Sequence, residues 1–149
     1  MAEVLVRARL ADAGLSGRVS VESAGTGDWH LGGPMAEYSR AELARRGLDG
    51  SRHIARQITA AWLHRFDLLL AMDDVNLRML LRMAGRREGM LERIRLFRSF
   101  DPAAPDGAEV PDPYGGPPAE YAEAFEAIEP AAQGLVDALA TVLANQPAR

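Results

Sequence analysis

Asp112 is the residue of this sequence best placed for acid–base chemistry. It lies in Val110-Pro111-Asp112-Pro113-Tyr114-Gly115-Gly116, where each neighbouring proline fixes its own φ at about −65°. Pro113 also favours extended geometry at Asp112, so the stretch displays one carboxylate on a stiff loop. Such a group can donate a proton when a phosphate ester is cleaved. Because turns often use Asp and Pro, an exposed Asp that only stabilises a turn is the alternative.

Cysteine is absent from the 149 residues, which excludes disulfides, thiolate metal sites and thiol catalysis by these residues alone. The three histidines, His30, His53 and His64, show no paired ligand spacing, so neither a metal site nor another cofactor is predicted. A metal- or aspartate-based phosphatase would need carboxylates clustered near a strand end. Asp73-Asp74 is the adjacent acidic pair so placed, and helix capping explains it.

Several other segments occur together with the Asp-Pro-Tyr stretch. In chain order they are Met1-Ala2-Glu3, Ser23-Ala24-Gly25-Thr26, Trp29, His53-Ile54-Ala55-Arg56, Met72-Asp73-Asp74-Val75-Asn76 and Ser99-Phe100-Asp101-Pro102. In this order and spacing the chain resembles a low-molecular-weight protein tyrosine phosphatase, from Met1 to about the last helix. The resemblance implies hydrolysis of phosphotyrosine through a cysteinyl-phosphate intermediate, with Asp112 as the general acid.

The start of the chain departs from the family pattern. The family opens with a short strand and a phosphate loop, Cys-x5-Arg-Ser-Pro, followed directly by Met-Ala-Glu, whereas here Met1-Ala2-Glu3 comes first. We therefore expect the first strand and the phosphate loop to be absent and the chain as it stands to be inactive. A start codon misassigned to an internal methionine is the explanation that we favour. Arg7 and Arg9 lie within the first helix and cannot replace the arginine of the loop.

The resemblance also implies roles for other residues. Trp29 and Tyr114 correspond to aromatic walls around the ring of the substrate. Core packing is the alternative for Trp29, but its Gly-rich neighbours favour the rim of the site, and for Tyr114 both alternatives stay open. His53 corresponds to a residue that hydrogen-bonds the phosphate loop from behind, so without that loop we expect an ordinary polar residue.

Three further residues are expected to support the site rather than to react. Asp73 and Asn76 are predicted to cap and brace the start of a helix. Ser23 is predicted to satisfy backbone groups at a strand end, or to place a hydroxyl near the thiolate. The nucleophilic cysteine and the phosphate-binding arginine have no counterpart in these residues.

Two functional alternatives remain beside the phosphatase. A pseudo-phosphatase that binds partners without turnover is the non-enzymatic one, and it gains weight if Met1 is the true start. An arsenate reductase of the same fold would need downstream cysteines to relay a disulfide, and none follows Met1. Asp-Pro-Tyr also fits the phosphatase better.

Composition places the chain among ordinary globular domains. Its apolar content of 48% and charged content of 26% are ordinary globular values, and its length predicts one domain over residues 1–149. A net charge of −4 argues against nucleic-acid binding. The apolar runs look too short to span a bilayer, and the charged first residues do not resemble a signal peptide, so a cytoplasmic location without membrane contact is expected. Phosphotyrosine proteins or small aryl phosphates are the expected partners, and the oligomeric state stays open.

Helical and strand patterns alternate along the chain, which predicts an α/β fold with three α-β-α layers around a doubly wound parallel sheet lacking its first strand. In such sheets the site lies beyond the carboxyl ends of the strands. Helices are predicted over Met1–Ala13, Pro34–Arg46, Thr59–Phe66 and Asp74–Met83, and strands over Val19–Ser23, Leu68–Met72 and Ile94–Phe97. A closing helix, with a kink or break at Pro130, is predicted from the apolar stripe of Tyr121, Phe125, Ile128, Leu135, Leu139 and Val142. The segment Asp101–Pro118 is predicted to be a functional loop.

Overall fold

The computed structural model describes residues 1–86 and 89–145. Parallel pairing of two strands and packing of helices against them give an α/β fold, which confirms the predicted class. Leu69 lies opposite Ile94 and Ala71 opposite Leu96 in the sheet. The elements are α1 (Ala2–Asp12), α2 (Glu37–Arg45), α3 (Trp62–Arg65), β1 (Leu69–Ala71), α4 (Asp74–Ala84), β2 (Ile94–Leu96) and α5 (Pro118–Ala144), with 3₁₀ turns at Leu91–Arg93 and Phe97–Phe100.

The two faces of β1 contact different parts of the core. Leu69 and Ala71 are buried in a cluster with Leu80 and Ala84 of α4, because alternate side chains of a strand point to opposite faces. Leu70 packs against the second cluster, which α1, α5 and neighbouring segments build. The sheet therefore holds two apolar layers together, and the loop after β1 leaves the sheet between them.

α5 is a continuous helix that passes through Pro130, so of the predicted kink or break at this residue the break is wrong. Proline removes one backbone donor from the helix, but the helix is held on both sides of Pro130 by buried residues such as Phe125 and Leu135. Val142 does not belong to the core stripe, because it lies past the last buried turn and is 54% exposed. By length and composition alone α5 could cross a membrane, contrary to the sequence prediction, but its buried face packs on α1 and α2.

The segment Val19–Ser23 is not a strand, contrary to the prediction from its alternating pattern. A strand needs a hydrogen-bonded neighbour, and in the described part of the chain the nearest pairing is a single bridge between Gly25 and Gln57. Val19 and Val21 are half-buried against the core, and the Val21 carbonyl accepts a hydrogen bond from Arg7 Nε at 3.1 Å. The segment borders a groove of about 340 Å³ along α1.

The helix starts also differ from the predictions. α2 begins at Glu37 rather than at Pro34, because Pro34 takes part in an antiparallel bridge with Ile54. α3 has Ala61 as its N-terminal cap, and Thr59 contributes its backbone carbonyl to the Trp62 N–H at 3.0 Å instead of capping through its side chain.

Candidate active site

Asp112 is exposed on the loop that leads to α5, and a turn fixes its carboxylate. Its Oδ1 accepts the N–H of Tyr114 at 3.0 Å. The Gly116 N–H donates to the Pro113 carbonyl at 2.9 Å, which requires Gly115 to adopt a φ of +84°. The turn that the sequence offered as an alternative role is thus present, and it presents the carboxylate to solvent beside an aromatic ring.

Trp29 lies on a second loop that meets the Asp112 loop. The rings of His30 and Tyr114 have centroids 4.9 Å apart, which joins the two loops. Trp29 is 78% exposed, and its ring lies over Gly27, where an added Cβ would come within 2.6 Å of Trp29 Cε2. Core packing of Trp29 is therefore excluded, and Tyr114, with 63% exposure, also lies at the surface. Both rings are therefore exposed to solvent, as is the Asp112 side chain.

The Trp29 loop is held by backbone hydrogen bonds to the segment at residues 54–58. Gly25 N–H donates to the Arg56 carbonyl at 2.7 Å, and Ile58 N–H donates back to Gly25 at 3.0 Å. Near the other end of the loop, Ala55 N–H donates to the Gly33 carbonyl at 2.9 Å. These bonds fix both ends of the loop and leave its aromatic tip in solvent.

Ser23 and His53 meet at the carboxylate of Glu3, a residue to which the sequence analysis assigned no role. Ser23 Oγ donates to Glu3 Oε2, and His53 Nδ1 lies 3.3 Å from the same oxygen. Arg7 Nη2 is 2.8 Å from the other oxygen, and Arg56 Nη2 is 3.8 Å from it. His53 is therefore not the ordinary polar residue that was expected, because it is half-buried against a carboxylate. A signal was present in the sequence, since Glu3 shares a helix face with two apolar residues at i+3 and i+7.

Glu3 is 7% exposed, and its surroundings keep the carboxylate charged. Burial alone would raise the pKa of Glu3, but the Ser23 hydrogen bond and the positive charges of Arg7, His53 and Arg56 lower the pKa below its ordinary value of 4.5. A carboxyl whose pKa is lower in the folded state stabilises the fold above its unfolded pKa. That contribution is lost as the pH falls through the folded value.

Replacement of Glu3 by Gln is expected to lower the free energy of unfolding at pH 7 by about 1–3 kcal/mol, because the donors around this buried side chain lose a charged acceptor. The difference from the parent chain should shrink as the pH falls below 4.5. Urea unfolding at a series of pH values measures it, with Glu123→Gln on the exposed face of α5 as the matched control. A difference in the free energy of unfolding that stays the same across the acid range would contradict the assignment of Glu3 as a charged acceptor.

Asp73 and Asn76 lie at the start of α4, just past the carboxyl end of β1. Asp73 Oδ1 accepts the Asn76 N–H at 2.7 Å, so Asp73 is the N-terminal cap of α4, as predicted. The Val110 N–H donates to the Met72 carbonyl at 2.8 Å, which ties this end of the sheet to the loop that carries Asp112.

The predicted site residues thus form two groups. Asp112 and Tyr114 share one exposed loop, and the Tyr114 ring contacts His30 beside Trp29. The base of the Asp112 loop contacts the Asp73 segment. Ser23 and His53 form the other group around Glu3, and within residues 1–86 and 89–145 no hydrogen bond joins their side chains to Asp112. The arrangement places an exposed carboxylate and an exposed aromatic ring on one turn, while the sequence contains no thiol.

Comparison with known proteins identifies a family. Residues 1–145 match the family model described as low molecular weight phosphotyrosine protein phosphatase. A low molecular weight protein-tyrosine-phosphatase of Streptomyces coelicolor is 44% identical over 140 residues, which is 93% of this chain and 84% of that protein. Phosphatase A of Mycobacterium tuberculosis is 39% identical over 138 residues, with 92% and 81% covered. The crystal structure of YfkJ from Bacillus subtilis superposes with a TM-score of 0.86 at 31% identity, covering 97% of this chain and 87% of YfkJ.

The chain belongs to the low molecular weight phosphotyrosine protein phosphatase family. Its relatives are named as protein-tyrosine phosphatases, and YfkJ shares the fold of this chain.

Proposed function

We propose that this domain hydrolyses phosphotyrosine in proteins or small aryl phosphates, with Asp112 as the general acid and with a cysteine and an arginine from a Cys-x5-Arg loop that these 149 residues do not contain. The observation that supports the proposal is the surface on which the Asp112 carboxylate lies next to the exposed Tyr114 ring, with His30 packed against that ring. A flat aromatic surface fits an aryl group better than the short side chain of phosphoserine.

In the proposed reaction the thiolate attacks phosphorus and forms cysteinyl phosphate, while Asp112 donates its proton to the leaving phenolate oxygen. Asp112, now a carboxylate, takes a proton from water as the water attacks the phosphoenzyme. This step releases inorganic phosphate and restores the thiolate. The backbone N–H groups and the arginine of the loop would hold the phosphoryl oxygens throughout.

Without that loop we propose that the chain is inactive. No side chain of the sequence is a thiol. The first two arginines are engaged elsewhere: Arg7 donates to the Val21 carbonyl at 3.1 Å and pairs with Glu3, and Arg9 pairs with Glu129 at 3.1 Å. These contacts support the view that neither arginine substitutes for the one in the loop. We also propose that residues 1–149 act as one cytoplasmic domain.

Trp29→Ala is expected to weaken hydrolysis of aryl phosphates more than that of alkyl phosphates, because the exposed indole offers a stacking surface worth about 0.5–1.5 kcal/mol. The assay uses the loop-extended chain, which is this sequence preceded by a strand and a Cys-x5-Arg-Ser-Pro loop of the family pattern. The ratio of kcat/KM for phenyl phosphate and butyl phosphate is measured, with Leu31→Ala on the same exposed loop as the control. Equal losses for both substrates would remove Trp29 from the substrate surface.

A non-catalytic binding protein is the second candidate function, and the absence of cysteine is the observation that favours it. The aromatic surface would then recognise a partner without turnover. Saturable binding of a phosphotyrosine peptide by the unextended chain, together with no hydrolysis by the loop-extended chain, would favour this candidate over the phosphatase.

A further inference from the structure

A carboxylate three residues before Asp112 ties the Asp112 loop to the start of α4, and we propose that this residue, Glu109, is a positioning residue for the general acid. The inference rests on the proposed function, because it assigns Asp112 the role described above. Glu109 would act through the placement of the loop and not by contact with the substrate.

The contact itself joins two parts of the chain that are distant in sequence. Glu109 Oε1 accepts the backbone N–H of Asp74 at 3.0 Å. Asp74 is the first residue of α4, an 11-residue helix, and its N–H has no partner inside the helix. A carboxylate at this end also interacts favourably with the helix dipole. Together with the bond from Val110 N–H to the Met72 carbonyl at 2.8 Å, it holds the loop at two adjacent residues.

Arg98 contacts both ends of the segment that precedes Asp112 in the same loop. Its Nη1 donates to the Glu109 carbonyl at 3.2 Å, and its Nη2 lies 3.5 Å from Asp101 Oδ2. Asp101 is buried, and its Oδ1 accepts the N–H of Ala103 at 2.9 Å. One guanidinium therefore holds both ends of the segment between residues 101 and 109. The loop has a fixed base although many of its residues are exposed.

This base is connected to Asp112 by a short and stiff piece of chain. Val110 is buried with 5% exposure, and Pro111 and Pro113 restrict the backbone on each side of Asp112. A general acid must come within about 2.6–3.2 Å of the oxygen that it protonates. Loss of the Glu109 contact should therefore displace the carboxylate, because little of the intervening backbone can compensate.

The tether can be tested in the chain as it exists through hydrogen exchange of the Val110 amide. Glu109→Ala removes the acceptor. Asp74→Pro removes the donor at the first helical position, where proline is favoured, and the preceding Asp73 already has extended dihedrals of φ −137° and ψ 175°. Asp74→Ala keeps the N–H and loses only the side chain that pairs with Arg78, so it is the matched control.

We expect faster exchange of the Val110 amide in Glu109→Ala and in Asp74→Pro, and no change in Asp74→Ala. The double variant should exchange no faster than either single variant, because both remove the same hydrogen bond. Unchanged exchange in both single variants would overturn the inference. Asp106→Asn, which changes an exposed carboxylate on the same loop, controls for loss of charge.

The catalytic consequence is measured in the loop-extended chain with two leaving groups. Phenolate needs protonation as it leaves, whereas 2,4-dinitrophenolate does not. General acid catalysis contributes roughly 10²–10⁴-fold, and a displaced acid should lose about 10-fold of this with phenyl phosphate and almost nothing with 2,4-dinitrophenyl phosphate. Equal losses with both substrates would show a merely structural role and overturn the inference.

An error in the proposed function would give a different pattern of results from an error about the Glu109 contact. If Asp112→Asn leaves the loop-extended chain unchanged with phenyl phosphate, Asp112 is not the acid, and the role of Glu109 in catalysis is overturned with it. Faster exchange of the Val110 amide in the Glu109 variant would still establish the tether in that case. The two measurements therefore separate an error about the loop from an error about the reaction.

Discussion

Replacement of Asp112 by Asn in the loop-extended chain is expected to lower kcat for phosphotyrosine by roughly 10²–10⁴-fold, because the amide cannot protonate the leaving phenolate. KM should change little, since Asn has nearly the same shape and can still accept the N–H of Tyr114 that Asp112 accepts at 3.0 Å. Steady-state kinetics with phosphotyrosine and with 2,4-dinitrophenyl phosphate measure the effect. The second substrate should be affected much less.

Asp106→Asn is the matched control, because it removes one exposed carboxylate from the same loop without touching the Pro-Asp-Pro stretch. Its kcat should stay within about twofold of that of the parent loop-extended chain. A rate for Asp112→Asn equal to that of this control would remove Asp112 from the mechanism.

Gly134→Ala is expected to destabilise the chain by about 1–3 kcal/mol. Alanine at an ordinary helix position is more stable than glycine by roughly 0.5–1 kcal/mol, so the expected sign is reversed here. The reason is that α5 packs directly on the 3₁₀ turn at Phe97–Phe100, and a Cβ on Gly134 would overlap the carbonyl oxygen of Phe100. The helix and the turn would have to move apart, which would leave a gap in the core between them.

Thermal and urea unfolding measure this loss, and each kcal/mol corresponds to a Tm shift of roughly 2–4 °C for a chain of this size. Gly17→Ala is the control, because an added Cβ there meets open space and the residue does not need a positive φ. It should be neutral or slightly stabilising. A Gly134→Ala variant as stable as the Gly17→Ala variant would contradict the close packing of α5 on Phe100.

Local sequence patterns were sufficient to predict the elements whose packing or pairing partners lie within the described chain. The continuous apolar run at Leu68–Met72 predicted β1, and the proline and glycine around the helix ends came within a few residues of the observed limits. The pattern failed at Val19–Ser23, because alternation indicates which face of a strand is apolar but does not supply the hydrogen-bonded neighbour. The break predicted at Pro130 was wrong for a related reason, since the packing of buried residues along α5 stabilises the helix more than the loss of one backbone donor destabilises it.

The residues of the candidate site also divide into those that the local sequence indicates and those whose partners are distant in sequence. The exposure of Asp112 and Trp29 could be predicted from the sequence because stiff or Gly-rich loops surround them, and both side chains lie at the surface. Glu3 and Glu109 were missed because their partners are 20 and 35 residues away, in the Ser23 hydroxyl and the Asp74 backbone. The contact of Glu109 to a backbone N–H leaves no residue-type signal, so only the folded chain reveals it, whereas the helix face of Glu3 carried a signal.

The phosphatase activity of two purified chains, the unextended sequence and the loop-extended chain, tests the proposed function most directly, with phosphotyrosine as substrate. We expect no hydrolysis above background by the first and turnover of about 1–10³ s⁻¹, the usual enzymatic range, by the second. A third chain, with Ser in place of the cysteine of the added loop, should lose the activity. Hydrolysis by the unextended chain, or a folded loop-extended chain with no activity, would contradict the proposed function.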